Sequence, residues 1–140
     1  MTPNLHAPSY ALLFSQISCY RCHALTPTVA IWVPSFDEVD EVDGEMSTFN
    51  NPALLRNLEF VDAATLECLR ANSPWMQVAY TQTSGTTYLA HHCTTCNALQ
   101  GDHYLFEVGG PYGPQSEDDL RALRRIEGAG PLSAVAIAVW

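Results

Sequence analysis

The sequence predicts an α+β fold: two β hairpins that each carry a cysteine pair, a helical and β-hairpin segment inserted between them, and a C-terminal helix. Three observations lead there. Cys19-Tyr20-Arg21-Cys22 and Cys93-Thr94-Thr95-Cys96 each lie between strand-like segments. Leu54, Leu55, Leu58 and Val61 recur at helical spacing after Asn51-Pro52, a cap followed by a first-turn proline. Ser116 and Asp119 resemble a capping box ahead of a run to Glu127. At 140 residues, 47% of them hydrophobic, the chain is expected to form one domain with a real core.

Along the chain, Ala11–Ile17 runs into the first cysteine pair, and Thr28–Val33 is β-branched and aromatic, so residues 10–33 read as strand, turn, strand. An insertion over 34–85 follows. It opens with Asp37, Glu38, Asp40, Glu41, Asp43 and Glu45, six acids in nine residues, expected as a solvated loop. After the first helix, Asp62 caps a second, short one carrying Leu66 and Leu69 and ending near Asn72-Ser73-Pro74; Cys68 within it reads as a small buried hydrophobe. Trp75–Gln82 suits a strand, Ser84-Gly85 a turn, and Thr86–His91 the returning strand. The second hairpin unit spans 86–108 and is completed by a strand at His103–Val108; Gly109–Pro114 is a loop. Residues 115–140 form the C-terminal helix and a tail. Arg121, Arg124 and Arg125 sit toward the helix's C-terminal end, as its macrodipole favours, and Gly128-Ala129-Gly130-Pro131 ends it. Leu132–Trp140 is either a buried final strand or an exposed association surface.

Five cysteines are present, and four form two Cys-x2-Cys pairs with Cys68 left over. The first residues carry no base ahead of the short apolar run Ala11–Phe14, so a secretory signal is not expected and the reducing cytoplasm is the expected compartment. There, paired cysteines more often mean metal than disulfide. Two cysteines three apart on a tight turn can aim both sulfurs at one ion. Two such turns supply the four thiolates of a tetrahedral zinc shell. Cys19, Cys22, Cys93 and Cys96 are therefore the expected ligands of one structural Zn²⁺ per chain. His23 and Asn97 follow the pairs, where a left-handed backbone is often needed; Asn and His are enriched there among non-glycine residues. Redox-active or disulfide pairs, haem attachment at Cys19-Tyr20-Arg21-Cys22-His23 and an iron site are the competing readings.

These four cysteines and their flanking strands resemble the zinc-ribbon family, and Cys93–Asp102 looks like a knuckle of small bacterial zinc-ribbon proteins. The resemblance implies two knuckle hairpins gripping one structural zinc. The departure is the spacing, since residues 23 to 92, 70 in all, separate the pairs. A ribbon specifies architecture and not activity.

Four thiolates close a shell and leave no open position for a catalytic water, so no catalytic residue is assigned. His-x-Glu with Pro-Cys-x2-Cys, Gly-x-Ser-x-Gly and P-loop strings do not occur. Fifteen acids against six bases, all Arg, give a formal charge of −9. Such a surface disfavours nucleic acid as a general ligand and favours a basic protein partner, with an inhibitor or immunity role as one concrete version. The acidic run Asp37–Glu45 is the expected partner-binding patch. A nucleic-acid-associated ribbon, in transcription or mobile-element biology, is the second reading. A small hydrolase with a site between ribbon and insertion, using His103 or Glu107 near Asp102, is the third. No run of about 20 apolar residues could span a membrane.

Overall fold

The apolar runs of this chain become strands where helices were expected. The computed structural model describes residues 2–81, 85–107, 109–113 and 117–139, and their side chains apart from those of Thr81, Thr86, His103 and Glu117. The strands are β1 Leu5–Ala7, β2 Ala11–Ser18, β3 Leu25–Val33, β4 Phe36–Val39, β5 Met46–Phe49, β6 Ala53–Val61, β7 Met76–Thr81, β8 Thr86–His92, β9 Leu99–Gln100, β10 Arg124–Glu127 and β11 Leu132–Val139. Among the described residues three short helices interrupt them: α1 Ala63–Asn72, α2 Asp102–Phe106 and α3 Glu117–Arg121. The expected α+β class is therefore corrected to a mostly β architecture. All strand pairings are antiparallel, in the order β10-β2-β3-β6-β11-β1-β4-β5, and β8 joins through β6, β7 and β9.

Alternation along the strands splits the core in two. Leu12, Val29, Ile31, Leu55 and Leu132 point to one face, where Leu69 of α1 and Met76 and Leu89 of the β7–β8 hairpin cover them. Leu13, Ala30 and Leu54 point to the other, under Leu105 of α2 and Tyr112. Burying one such leucine is worth about 2–3 kcal/mol.

β6 explains the failed helix. It lies inside the sheet, so both faces are apolar and the run does not alternate. Between Arg56 and Phe60 it has three residues where β11 has one, Ala136. Asn57 takes up the slack with φ 53°. This bulge turns Leu58 to the face that Leu55 and Val61 share, which counterfeits helical spacing.

The expected C-terminal helix is also overturned. Among the described residues of that segment only Glu117–Arg121 is helical, and Arg124–Glu127 pairs with Phe14–Ala11 as β10. The strand wins through cross-strand contacts. The Arg124 guanidinium lies 4.8 Å from the Phe14 ring centre and that of Arg125 4.4 Å from Trp32, both cation–π distances. Ile126 packs on the main core. Gly128 then passes so close to Tyr10 that a Cβ would lie 2.3 Å from its ring. Ser116, the proposed cap, lies outside the described residues.

At His103–Val108 the expected strand is instead α2, with Leu105 fully buried; Val108 lies outside the described residues. The acidic run is not a plain loop but the tip of a β4–β5 hairpin. Asp40 Oδ1 accepts from Val42 N–H at 2.7 Å, and Gly44 turns the chain at φ 73°. The Asp62 cap of α1 is as expected, its carboxylate accepting from Thr65 N–H at 3.1 Å. Half-buried Cys68 packs on the main core. The β7–β8 hairpin forms, with Gly85 in its turn and Gln82–Ser84 outside the described residues. Of the two readings of the tail, the buried strand holds: β11 runs between β6 and β1. Trp140 lies outside the described residues. No described helix is long and apolar enough to cross a membrane.

Candidate metal centre

Each cysteine pair sits at the tip of a hairpin. β2 and β3 pair as far as Ser18 and Leu25, and β8 and β9 as far as His92 and Leu99. The two turns repeat each other bond for bond. Cys19 N–H donates to Ala24 C=O and His23 N–H to Cys19 C=O, both at 2.9 Å. Cys93 N–H donates to Ala98 C=O and Asn97 N–H to Cys93 C=O, again at 2.9 Å. Arg21 N–H lies 3.4 Å from Cys19 Sγ, and Thr95 N–H 3.4 Å from Cys93 Sγ. His23 and Asn97 take left-handed φ of 64° and 63°. This is the conformation expected at those two positions.

Side chains hold the two hairpins together. His91, buried at the end of β8, has Nε2 2.9 Å from Val29 N–H and 3.0 Å from Val29 C=O of β3. It thereby links β8 to β3 below the three-residue ladder that β3 makes with β6. Burial, the leading cause, pushes its imidazole down to about 4, so it is neutral there. Nearer the tips, Thr94 N–H donates to Thr26 Oγ1 at 3.2 Å, and Gln100 Nε2 donates to Cys19 Sγ at 3.3 Å. Thr26 and Gln100 occupy matching places, each four residues after the second cysteine of its own turn. Both are buried. Sequence reasoning missed them; the available signal was a polar residue repeated at that offset inside a strand.

The result is a cluster whose four sulfurs all lie within 4.8 Å of one another. Cys19 Sγ is 3.7 Å from Cys96 Sγ, and Cys22 Sγ is 3.6 Å from Cys93 Sγ. A metal–sulfur bond of about 2.3 Å sets tetrahedral corners about 3.8 Å apart. A disulfide needs about 2.05 Å. The separations fit four thiolates around one ion, and all five cysteines are free thiols. The cluster is compatible with a zinc-ribbon-like site.

Its electrostatics are compatible with a bound cation. The Cys22 N–H, outweighing burial, helps bring the Cys19 thiol down to about 6. The Cys96 N–H does the same for Cys93, which is also lowered. At Cys22 the Ala24 N–H acts downward, but burial and the three neighbouring thiols push it up to about 11. Four thiolates this close repel one another, and a bound divalent ion removes that penalty.

The other expected site residues disperse. Asp37, Glu38, Asp40, Glu41, Asp43 and Glu45 gather on the β4–β5 hairpin at the far end of the strand order from β10, and all but half-exposed Asp37 are exposed. Asp37 accepts from Thr48 Oγ at 2.7 Å. Asp102 is buried and accepts from Asn57 N–H at 2.8 Å, so it ties α2 to the β6 bulge. Burial, its leading influence, raises its pKa. Glu107 is exposed beyond the end of α2, and the side chain of His103 is outside the described set. Compared with known proteins, the chain matches no family model, no curated protein and no solved structure.

Proposed function

We propose that the chain is a non-enzymatic, zinc-stabilised protein-binding module whose acidic surface recognises a basic protein partner, with inhibition or neutralisation of that partner as its role. The observation that carries the reading is the four-sulfur cluster on two matched turns. A four-thiolate donor set suits Zn²⁺, a redox-inert ion that takes tetrahedral sulfur. Cys19, Cys22, Cys93 and Cys96 would hold it, and its contribution is folding energy, since the turns belong to hairpins 70 residues apart. A reducing compartment such as the cytoplasm keeps those thiols available.

The partner reading rests on charge. The chain carries −9 before any metal is bound, and four thiolates with Zn²⁺ add about −2. The β4–β5 hairpin concentrates six of the fifteen acids. Such a field speeds encounter with a cationic surface. Arg124 and Arg125 stack on Phe14 and Trp32, so the cationic cluster that would have favoured nucleic acid has a packing role. The test is affinity capture with the metal-loaded chain beside a variant carrying Asn or Gln at all six hairpin acids. Capture of one basic protein by the native chain and its loss by the variant supports the reading. Capture of nucleic acid, or of the same protein by both chains, contradicts it.

A further inference from the structure

An open groove of about 560 Å³ runs beside the first cysteine turn. Its floor is the end of β2, and its far wall is α2 with the glycine-rich loop behind it. The pairing of β10 with β2 stops at Phe14, whereas β3 continues to Ser18. From Ser15 to Ser18, one edge of β2 has no ladder partner among the described residues, and those residues line the groove. Strand alternation says which groups face it. Gly128 N–H donates to Tyr10 C=O on that edge, so the even-numbered residues of β2 point there. Gln16 and Ser18 thus present backbone N–H and C=O groups to the groove, an edge with no ladder partner among the described residues that can template another strand.

The walls are fixed. Tyr112 N–H donates to Leu105 C=O, and Gly110 N–H to Glu107 C=O, both at 2.9 Å. A Cβ on Gly110 would lie 2.5 Å from Tyr104 C=O, so only glycine lets the loop lie this close to α2. Buried Tyr112 anchors the loop from below, its hydroxyl donating to Leu13 C=O at 2.9 Å. Two exposed rings flank the opening, Tyr20 from the cysteine turn and Tyr104 from α2. Glu107 is the one charged side chain among the described lining residues. Gln100, which donates to Cys19 Sγ, lines the groove as well, so the metal cluster and the groove share a wall.

We infer that this groove binds an extended, Lys- or Arg-bearing segment of a protein, added as a strand along Ser15–Ser18. The inference rests on the protein-binding reading above and places a second, sterically defined contact away from the acidic hairpin. The backbone edge supplies ladder bonds over about 13 Å of strand. The exposed Tyr20 ring favours cationic side chains over it, within a chain of net charge −9. The groove's volume falls in the range of formed ligand sites.

The experiment uses the full, metal-loaded chain and an array of labelled decapeptides alternating Lys or Arg with Val, Thr or Tyr, read by fluorescence anisotropy. The expected result is saturable binding that weakens at least tenfold in three cases: when alternate peptide nitrogens are methylated, for Gln16→Pro, and for Tyr20→Ala. Gln16 N–H faces the open edge, so proline there breaks no ladder bond with β3. The methylated peptides test the ladder on unaltered protein should that variant fail to fold. Binding indifferent to methylation, equal binding of Glu-bearing peptides, or no binding across the array overturns the inference. So does loss only when the hairpin acids are neutralised, an outcome that would leave the basic-partner reading standing.

Discussion

Gln100 reaches out of the second cysteine turn to the first, its side-chain amide donating to Cys19 Sγ at 3.3 Å while also bonding Ala98 C=O of its own turn at 2.9 Å. A donor to a ligating thiolate spreads its charge and fixes its direction. Partners of this kind orient the ligands and tune metal affinity. Gln100→Ala is expected to weaken metal binding by about 10–100-fold, and Gln100→Glu further, because it would bring a carboxylate to the thiolates. Competition with a chromophoric chelator measures both.

The four clustered cysteines and Cys68 should behave differently. Cys→Ser at position 19, 22, 93 or 96 is expected to release the metal and destabilise the chain by several kcal/mol, since structural zinc supplies about 10–16 kcal/mol of apparent binding in finger peptides. Cys68→Ala, on half-buried α1, is expected to cost no more than about 1 kcal/mol. Thermal denaturation of the five variants, with and without chelator, separates the groups. Equal losses at all five would contradict the cluster's special standing.

The end of the chain offers a test of the fold. In a helix ending at Glu127, Gly128 would be its C-terminal cap, where Ala costs about 1 kcal/mol. With β10 in place, the new methyl meets the Tyr10 ring at 2.3 Å. A loss of about 1–3 kcal/mol is expected, the range for overpacking. Chemical denaturation reads it directly.

Asp62 gives a pH signature. Its carboxylate accepts from Thr65 N–H at 3.1 Å, Thr65 Oγ at 2.7 Å and Ser133 N–H at 2.9 Å. Burial acts to raise its pKa; the Ser133 and Thr65 donors outweigh it and hold the group below its ordinary value. A depressed carboxyl contributes stability that is complete above its unfolded pKa of about 3.9 and is lost as pH falls through the lower folded one. Asp62→Ala is expected to cost about 1–2 kcal/mol at neutral pH, as a lost helix cap. Its stability should converge on that of the native chain below about pH 3.9. A constant difference across that range would contradict the assignment.

These expectations mark where the sequence was legible. The cysteine turns, the Asp62 cap and the β7–β8 hairpin depend on neighbours within a few residues, and their residue types announced them. β6 and β10 depend on distant strands. In β6 a bulge at Asn57, opposite β11, imitates helical spacing. In β10 two arginines stack on Phe14 and Trp32, more than 90 residues away in the chain. α2 read as a strand because Tyr104 and Phe106 have β-forming side chains; Leu105 between them is instead driven into the second core. The cysteine spacing pointed to one shared site, but the Thr26 and Gln100 braces came into view only once both turns were superposed by the fold.

Elemental analysis of the purified chain, paired with its native mass, tests the central claim most directly. One zinc per chain, lost with the folded structure on chelation, is the predicted result. A metal-free chain whose mass is lowered by the hydrogens lost in disulfide formation, or a thermal transition unmoved when the metal is stripped, would contradict it.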